Sequence, residues 1–364
     1  MARPGFRLAF LATLLALVVV LLGAYTRLTH AGLGCPDWPG CYGFISVPSS
    51  EAQLAHAELH FPDTPVEPHK GRNEMVHRYF AGSLALMIIL LAAKAVRRRH
   101  QQGQPFMLPM LLLGVVVFQA AFGMWTVTLK LWPQVVTAHL LGGVATLSLL
   151  FLLTLRLSGA FAPLPQLPVR LRHLAALGLV LVAAQIALGG WVSSNYAAIA
   201  CADLPTCHGQ WWPKADFVNG FRLTQHIGPN YLGGQLDSDA RTAIHLTHRL
   251  GAMLVTGVLL ALAWQLNRAG LKIMAWLVVL ALAVQVALGI SNVIFHLPLP
   301  IAVAHNAGGA ALMLTLTLVN YRVRSALGWA VKAAPGHSFA ARHQGQGLHP
   351  DKQPGTAIGH RLLR

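Results

Sequence analysis

Long apolar runs recur along the whole of this chain, and they leave few folds open to it. Crossing about 30 Å of hydrocarbon takes roughly 20 apolar residues as a helix. In lipid the backbone must satisfy its own hydrogen bonds, so runs of that length form helices. Leu8 to Ala24 is the first run. Continuing along the chain gives eight spans, at about 7–27, 72–94, 106–128, 134–156, 173–194, 241–265, 271–294 and 301–321. No small-residue cleavage site follows the first run, which reads as an uncleaved helix and not a signal peptide. The expected fold class is an all-α polytopic membrane protein. With 55% hydrophobic and only 10% charged residues, the chain has too little charge to cover a soluble surface.

The net charge of +16 raises the question of nucleic acid. Its placement answers against that partner. Lys94, Arg97, Arg98 and Arg99 cluster at the end of an apolar run, as do Arg3, Arg7, Arg156, Arg170, Arg172, Arg268 and Lys272. That is the pattern of cytoplasmic segments, and the positive-inside rule puts both termini in the cytoplasm. Two long segments, about 28–71 and 195–240, then face outside. All four cysteines fall in them, as Cys35 and Cys41, then Cys201 and Cys207. In an oxidising compartment the expectation is two loop-stapling disulfides, Cys35–Cys41 and Cys201–Cys207. A redox role in handling a substrate is the alternative.

The chain also repeats itself. Cys35 and Cys41 recur 166 residues later as Cys201 and Cys207. Gln119 and Gly123 recur as Gln285 and Gly289, and His139, Gly142 and Gly143 as His305, Gly308 and Gly309, at the same offset. A constant offset across separated motifs implies two four-helix bundles with the same membrane topology, related by a pseudo-twofold axis along the membrane normal. The division expected is 1–157 for the first half, 158–321 for the second, and a basic, disordered cytoplasmic tail over 322–364.

Only a few of the eighteen histidines sit in the spans, among them His77, His139, His248 and His305. These four lie near the outer ends of helices that run inward. An ionisable residue within a membrane span is a functional candidate. One such histidine would be unremarkable as an interhelical hydrogen-bonding group. Two per half at matched depth call for paired imidazoles, and a heme iron with two axial ligands needs such a pair. Glycines support this. Gly142 and Gly143 follow His139 on its helix face, Gly308 and Gly309 follow His305, and Gly251 follows His248. Small residues there either let a flat macrocycle lie against the backbone or let helices pack closely. Zinc would need its ligands to converge in one cluster, whereas these pairs belong to different halves.

The halves differ at one point. Glu74 precedes His77 by three residues, and its counterpart before His248 is His245. Glu74 shares a helix face with His77. A carboxylate there suits a reacting site, as proton acceptor or stabiliser of positive charge, or else it pairs with Arg72 or Arg78. Arg78 and Arg249, each directly after a histidine, are candidate propionate partners or snorkel to the interface.

Thr26-Arg27-Leu28-Thr29 and Gly32-Leu33-Gly34-Cys35-Pro36-Asp37-Trp38-Pro39 resemble the first outer loop of heme A synthases. Glu74-Met75-Val76-His77-Arg78, Ala138-His139, His248-Arg249-Leu250 and Ala304-His305 extend the resemblance over roughly residues 7 to 321. It implies an oxidoreductase that converts heme O to heme A for respiratory terminal oxidases, taking the C8 methyl of the porphyrin through an alcohol to a formyl group by successive hydroxylations. It implies substrate heme on His77 and His139, a resident heme b cofactor on His248 and His305, and Glu74 as the functional glutamate. It also implies a bacterial-type inner membrane and lipid surroundings, with the farnesyltransferase that makes heme O as partner. A homo-oligomer is left open. Two rival readings stand beside it: a di-heme b-type electron-transfer cytochrome, and a heme carrier or chaperone.

Overall fold

The computed structural model describes residues 3–101, 103–161, 164 and 167–333. Its regular structure, among those residues, is helical: α1 (Phe6–Leu28), α2 (Glu51–His60), α3 (Pro68–Arg97), α4 (Met107–Thr128), α5 (Pro133–Ser158), α6 (Val169–Ser194), α7 (Phe217–Gly220), α8 (Ser238–Arg268), α9 (Lys272–Ile294) and α10 (Leu299–Ala333). Eight of these are long and apolar enough to cross a membrane, so the chain is a multi-pass membrane protein.

The expected spans all form, and three are longer than their apolar stretch. Helix α3 begins at Pro68, whose fixed φ and missing N–H suit a first helical position. Its 30 residues extend about 45 Å at about 1.5 Å per residue, well beyond the hydrocarbon. Helix α8 begins where Asp237 caps the Ala240 N–H at 2.8 Å. Helix α10 runs on to Ala333, so the first part of the expected tail is helical, a correction to 322–364. The rest of that tail lies outside the described residues.

Helices α1, α3, α4 and α5 contact one another in a ring, and α6, α8, α9 and α10 do the same. Contacts of α1 with α10, α5 with α6 and α5 with α10 join the two sets. Each ring is densely packed towards the end that carries the chain termini. In the first, Ala9, Ala12 and Ala16 of α1 meet Ile88 of α3, Leu112 of α4 and Leu147, Leu150 and Leu153 of α5. In the second, Leu171 and Ala175 of α6 meet Leu259, Leu262 and Leu266 of α8, Val278 of α9 and Leu316 of α10. Lipid is as apolar as these side chains, so close packing and not water exclusion holds them, and the alanines let backbones approach.

Three contacts between the halves join residues 166 apart in sequence. Arg27 Nη2 donates to the Ser193 carbonyl at 2.6 Å, and His30 Nδ1 lies 3.3 Å from Tyr196 Oη. At the other end Tyr321 Oη donates to the Leu155 carbonyl at 3.4 Å. Each of these contacts joins a residue to its own counterpart in the sequence repeat.

The long loops carry matching hairpins. Disulfides Cys35–Cys41 and Cys201–Cys207 both form. Cys41 bridges Phe44, and Cys207 bridges Gln210, in antiparallel fashion. Asp37 accepts from the Tyr42 and Gly43 N–H groups at 2.6 and 2.8 Å. Asp203 accepts likewise from His208 and Gly209 at 2.7 and 3.0 Å. Tyr42 and His208 both take left-handed backbone, at φ 56° and 55°.

Candidate heme-binding cavity

Towards the loop end the rings open into one cavity of about 1840 Å³, lined from both halves. An ordinary small-ligand pocket holds roughly 300–1,000 Å³, so this one has room for two large flat molecules. Its wall includes His77, His139, His248 and His305, together with Glu74, Arg78, His245 and Arg249. The helices deliver these side chains as expected: α3 and α5 for the first half, α8 and α10 for the second.

Each imidazole lies against a glycine of a neighbouring helix. A Cβ added at Gly23 would come within 3.0 Å of His77 Cε1, and one at Gly189 within 3.3 Å of His248 Cε1. At Gly123 and Gly289 the distances to His139 and His305 Cε1 would be 3.4 and 3.1 Å. Gly23 and Gly189 belong to α1 and α6, where sequence alone offered no candidate cavity residue. Their signal was the 166-residue repeat, in which Gly23 corresponds to Gly189.

The glycines that follow the histidines play a different part from the expected macrocycle seat. A Cβ at Gly142 would fall 2.1 Å from Gln119 Oε1, at Gly251 2.2 Å from Gln185 Oε1, and at Gly308 2.3 Å from Gln285 Oε1. They make room for glutamine side chains. Gly143 and Gly309 do line the cavity.

Glu74 is buried, 5% exposed. Oε1 pairs with Arg78 Nη2, and Oε2 accepts the Cys35 N–H at 3.0 Å. The carboxylate thus ties the disulfide hairpin to α3 while reaching the cavity. Of the two partners expected from sequence, Arg78 is the one it meets. Arg72 donates instead to the Pro68 carbonyl at 3.1 Å.

Arg78 and Arg249 fasten the loops. Arg78 Nη1 reaches the carbonyls of Asp37 at 3.0 Å, Pro39 at 3.2 Å and also Gly40. Arg249 donates to the carbonyls of Thr206 at 2.9 Å, Cys201 at 2.7 Å and Asp203 at 2.9 Å. His245, which occupies the place of Glu74 in the second half, has Nδ1 2.9 Å from the Ala197 carbonyl and moors its loop. Outside the membrane, Asp203 is held well below the usual carboxylate range. The Thr206 hydroxyl at 2.6 Å is the main cause, with the Gly209 and His208 N–H groups adding to it.

Among the described residues no three or more His, Cys, Asp or Glu converge on a common point.

Comparison with known proteins shows the family. The family model COX15-CtaA, described as cytochrome oxidase assembly protein, matches residues 6–317. A heme A synthase of Shewanella oneidensis is 47% identical over 307 residues, covering 84% of this chain and 92% of that protein. A heme A synthase of Methylobacterium radiotolerans is 30% identical over 363 residues, covering 91% and 94%. One of Sphingopyxis alaskensis is 28% identical over 349 residues, covering 89% and 94%. The chain belongs to the COX15-CtaA family of cytochrome oxidase assembly proteins.

Proposed function

We propose that this protein is a heme A synthase, an oxidoreductase that converts the C8 methyl of heme O to a formyl group through an alcohol. The observation that carries the reading is one large cavity with two histidine pairs and a carboxylate beside only one of them. The membership of relatives named heme A synthase supports it.

The residues fit heme. Nδ1 of His77, His139 and His305 is buried without a hydrogen-bond partner among the described residues. An unpartnered buried polar atom costs about 1–3 kcal/mol, a cost that iron ligation would offset. The glycine opposite each ring keeps the imidazole free of a side chain on that side. His77 and His139 would hold the substrate heme. His248 and His305 would hold a resident heme b, which supplies one-electron redox chemistry when bound.

Glu74 is the reacting-site carboxylate in this reading. Its oxygens are oriented by Arg78 and the Cys35 N–H, and a lone pair on each is left over. It can accept a proton or stabilise positive charge developing at the methyl carbon. The pair with Arg78 also couples that carboxylate to the hairpin above it. Arg78 and Arg249 line the cavity while holding loop carbonyls, and in this reading they would also meet propionates. The second half keeps no carboxylate at the equivalent place, as suits a site that carries electrons. The membrane is the bacterial inner membrane, with both termini in the cytoplasm and the loops outside. The farnesyltransferase that makes heme O is the partner from which substrate comes.

Glu74→Gln tests the reading. It keeps the shape but removes the charge and turns one of the two acceptor oxygens into a donor, so either the Arg78 or the Cys35 N–H bond is given up. The expected result is wild-type bis-histidine heme content with heme A production lower by at least about tenfold, within the range of a lost acid–base group. Undiminished production removes Glu74 from the chemistry.

A further inference from the structure

A glutamine accompanies three of the four cavity histidines, and the fourth lacks it. Gln119 of α4 donates to the His139 carbonyl at 3.0 Å. Gln185 of α6 donates to the His248 carbonyl at 2.9 Å and lies 3.0 Å from His248 Nδ1. Gln285 of α9 lies 3.4 Å from His305 Nε2. Each glutamine stands four residues before the glycine that faces the imidazole, and each is admitted by a glycine three residues after the histidine. The four-residue spacing puts glutamine and facing glycine on one helix face, and the three-residue spacing does the same for histidine and admitting glycine.

At His77 both partners are replaced. The place of Gln185 is taken by Val19, four residues before Gly23, and the place of Gly251 by Phe80, three residues after His77. Val19 is on the cavity wall, and His77 Nδ1 has no hydrogen-bond partner among the described residues. Phe80 is 40% exposed at the outer face of α3. A glutamine at 19 would meet a position that no longer has the space of Gly251, so the two changes belong together.

The geometry points to Gln185 as the positioning residue that retains the second-half heme, and to its absence opposite His77 as what lets the first-half heme leave. This rests on the reading that the first half takes an exchanging substrate and the second a resident cofactor. A heme dissociates when an axial imidazole swings away from iron. Gln185 is anchored on the His248 backbone carbonyl at 2.9 Å and lies 3.0 Å from the ring nitrogen, so that swing breaks the ring contact with an amide already fixed in place. His77 is held by no side-chain amide, and its rotation costs less. Gln119 holds only the His139 backbone carbonyl, so the contrast lies between the rings of His77 and His248. An enzyme that must release its product needs one such loose ligand, while a permanent redox centre needs none.

The test uses full-length holoprotein in lipid nanodiscs with excess apomyoglobin as heme acceptor. Transferred hemes are separated by mass, so that farnesylated heme reports the first half and heme b the second. Low-spin electron paramagnetic resonance signals report each iron's ligand field. Gln185→Val, which installs the first-half residue, is expected to speed heme b release roughly three- to tenfold, the equivalent of one or two lost hydrogen bonds. It should also shift the heme b signal and leave farnesylated heme release unchanged. Val19→Gln with Phe80→Gly is expected to slow farnesylated heme release by a similar factor relative to Phe80→Gly alone. A purely structural role for Gln185 would not produce that gain. Unchanged heme b release and signal in Gln185→Val overturn the proposal, as does a double variant no slower than its control. A wild-type protein with no bis-histidine signal in either half would instead refute the functional reading beneath it.

Discussion

Gly189 has no side chain because the His248 ring occupies that space. A Cβ would stand 3.3 Å from Cε1, and a branched side chain would reach much further. Gly189→Val is therefore expected to push the imidazole off its position, an overpacking cost of about 1–3 kcal/mol. The bis-histidine spectrum of the second half should be lost while the first half's survives. An unaltered spectrum would mean that the ring does not need that space. The histidines themselves were legible, because an imidazole in an apolar run stands out against its neighbours. The glycines opposite them were not, since each lies on another helix and only tertiary packing reveals the pairing. Gln119 and Gln285 were visible as a repeat, yet nothing in one strand of sequence told that their partners were Gly142 and Gly308. Glu74 was readable as a carboxylate beside a histidine, while its hold on the Cys35 N–H depends on how the loop folds back.

The hairpins are the elements that close the cavity, and the second gives a pH test. Asp203 collects the Thr206 hydroxyl and two backbone N–H groups, which hold its carboxyl below the ordinary value. A depressed folded-state value means that its contribution is present above the unfolded value of about 3.9 and is lost as pH falls towards the folded one. Protection of the His208 and Gly209 amides, corrected for intrinsic exchange, should be flat from about pH 5 upward and decline only below about pH 4. Asp203→Asn should lower protection at neutral pH and abolish the acid decline. Equal protection in the two proteins at pH 7 would show that the carboxylate does not organise the hairpin. The disulfides were legible from spacing and topology. Helix α2 was missed because it is too short and polar for a membrane period. Its signal was the Ser50 to Gln53 capping box, in which Ser50 Oγ accepts the Gln53 N–H at 3.3 Å and Gln53 Oε1 accepts the Ser50 N–H at 3.3 Å. Helix α7, four residues capped by Asp216, is too short for any periodic pattern to show. The ends of α3 and α8 lie beyond the apolar stretch, where hydropathy carries no information and caps decide.

At the scale of the whole molecule, packing density and opening are separated along the helices. Alanines and leucines fill the end with the termini, and glycines, glutamines and histidines surround the cavity at the loop end. A duplicated four-helix frame gives two similar seats. The differences between them are few and local: Glu74 against His245, Val19 against Gln185, Phe80 against Gly251. Eight spans and the repeat offset were readable because membrane helices are long and the motifs well separated. The meeting of Arg27 with Ser193 and of His30 with Tyr196 between the halves was not, because it depends on how the halves pack against each other.

The most direct measurement is pigment analysis of membranes from a host that lacks heme A, expressing this chain with a heme O-producing farnesyltransferase. Hemes would be extracted and separated by chromatography with mass detection. Heme A, or its hydroxylated precursor, is the predicted result, and it should disappear in Glu74→Gln. Only heme b and unmodified heme O, from folded protein with bis-histidine spectra and a functional host respiratory chain, would contradict the account and favour an electron-transfer cytochrome or a heme carrier.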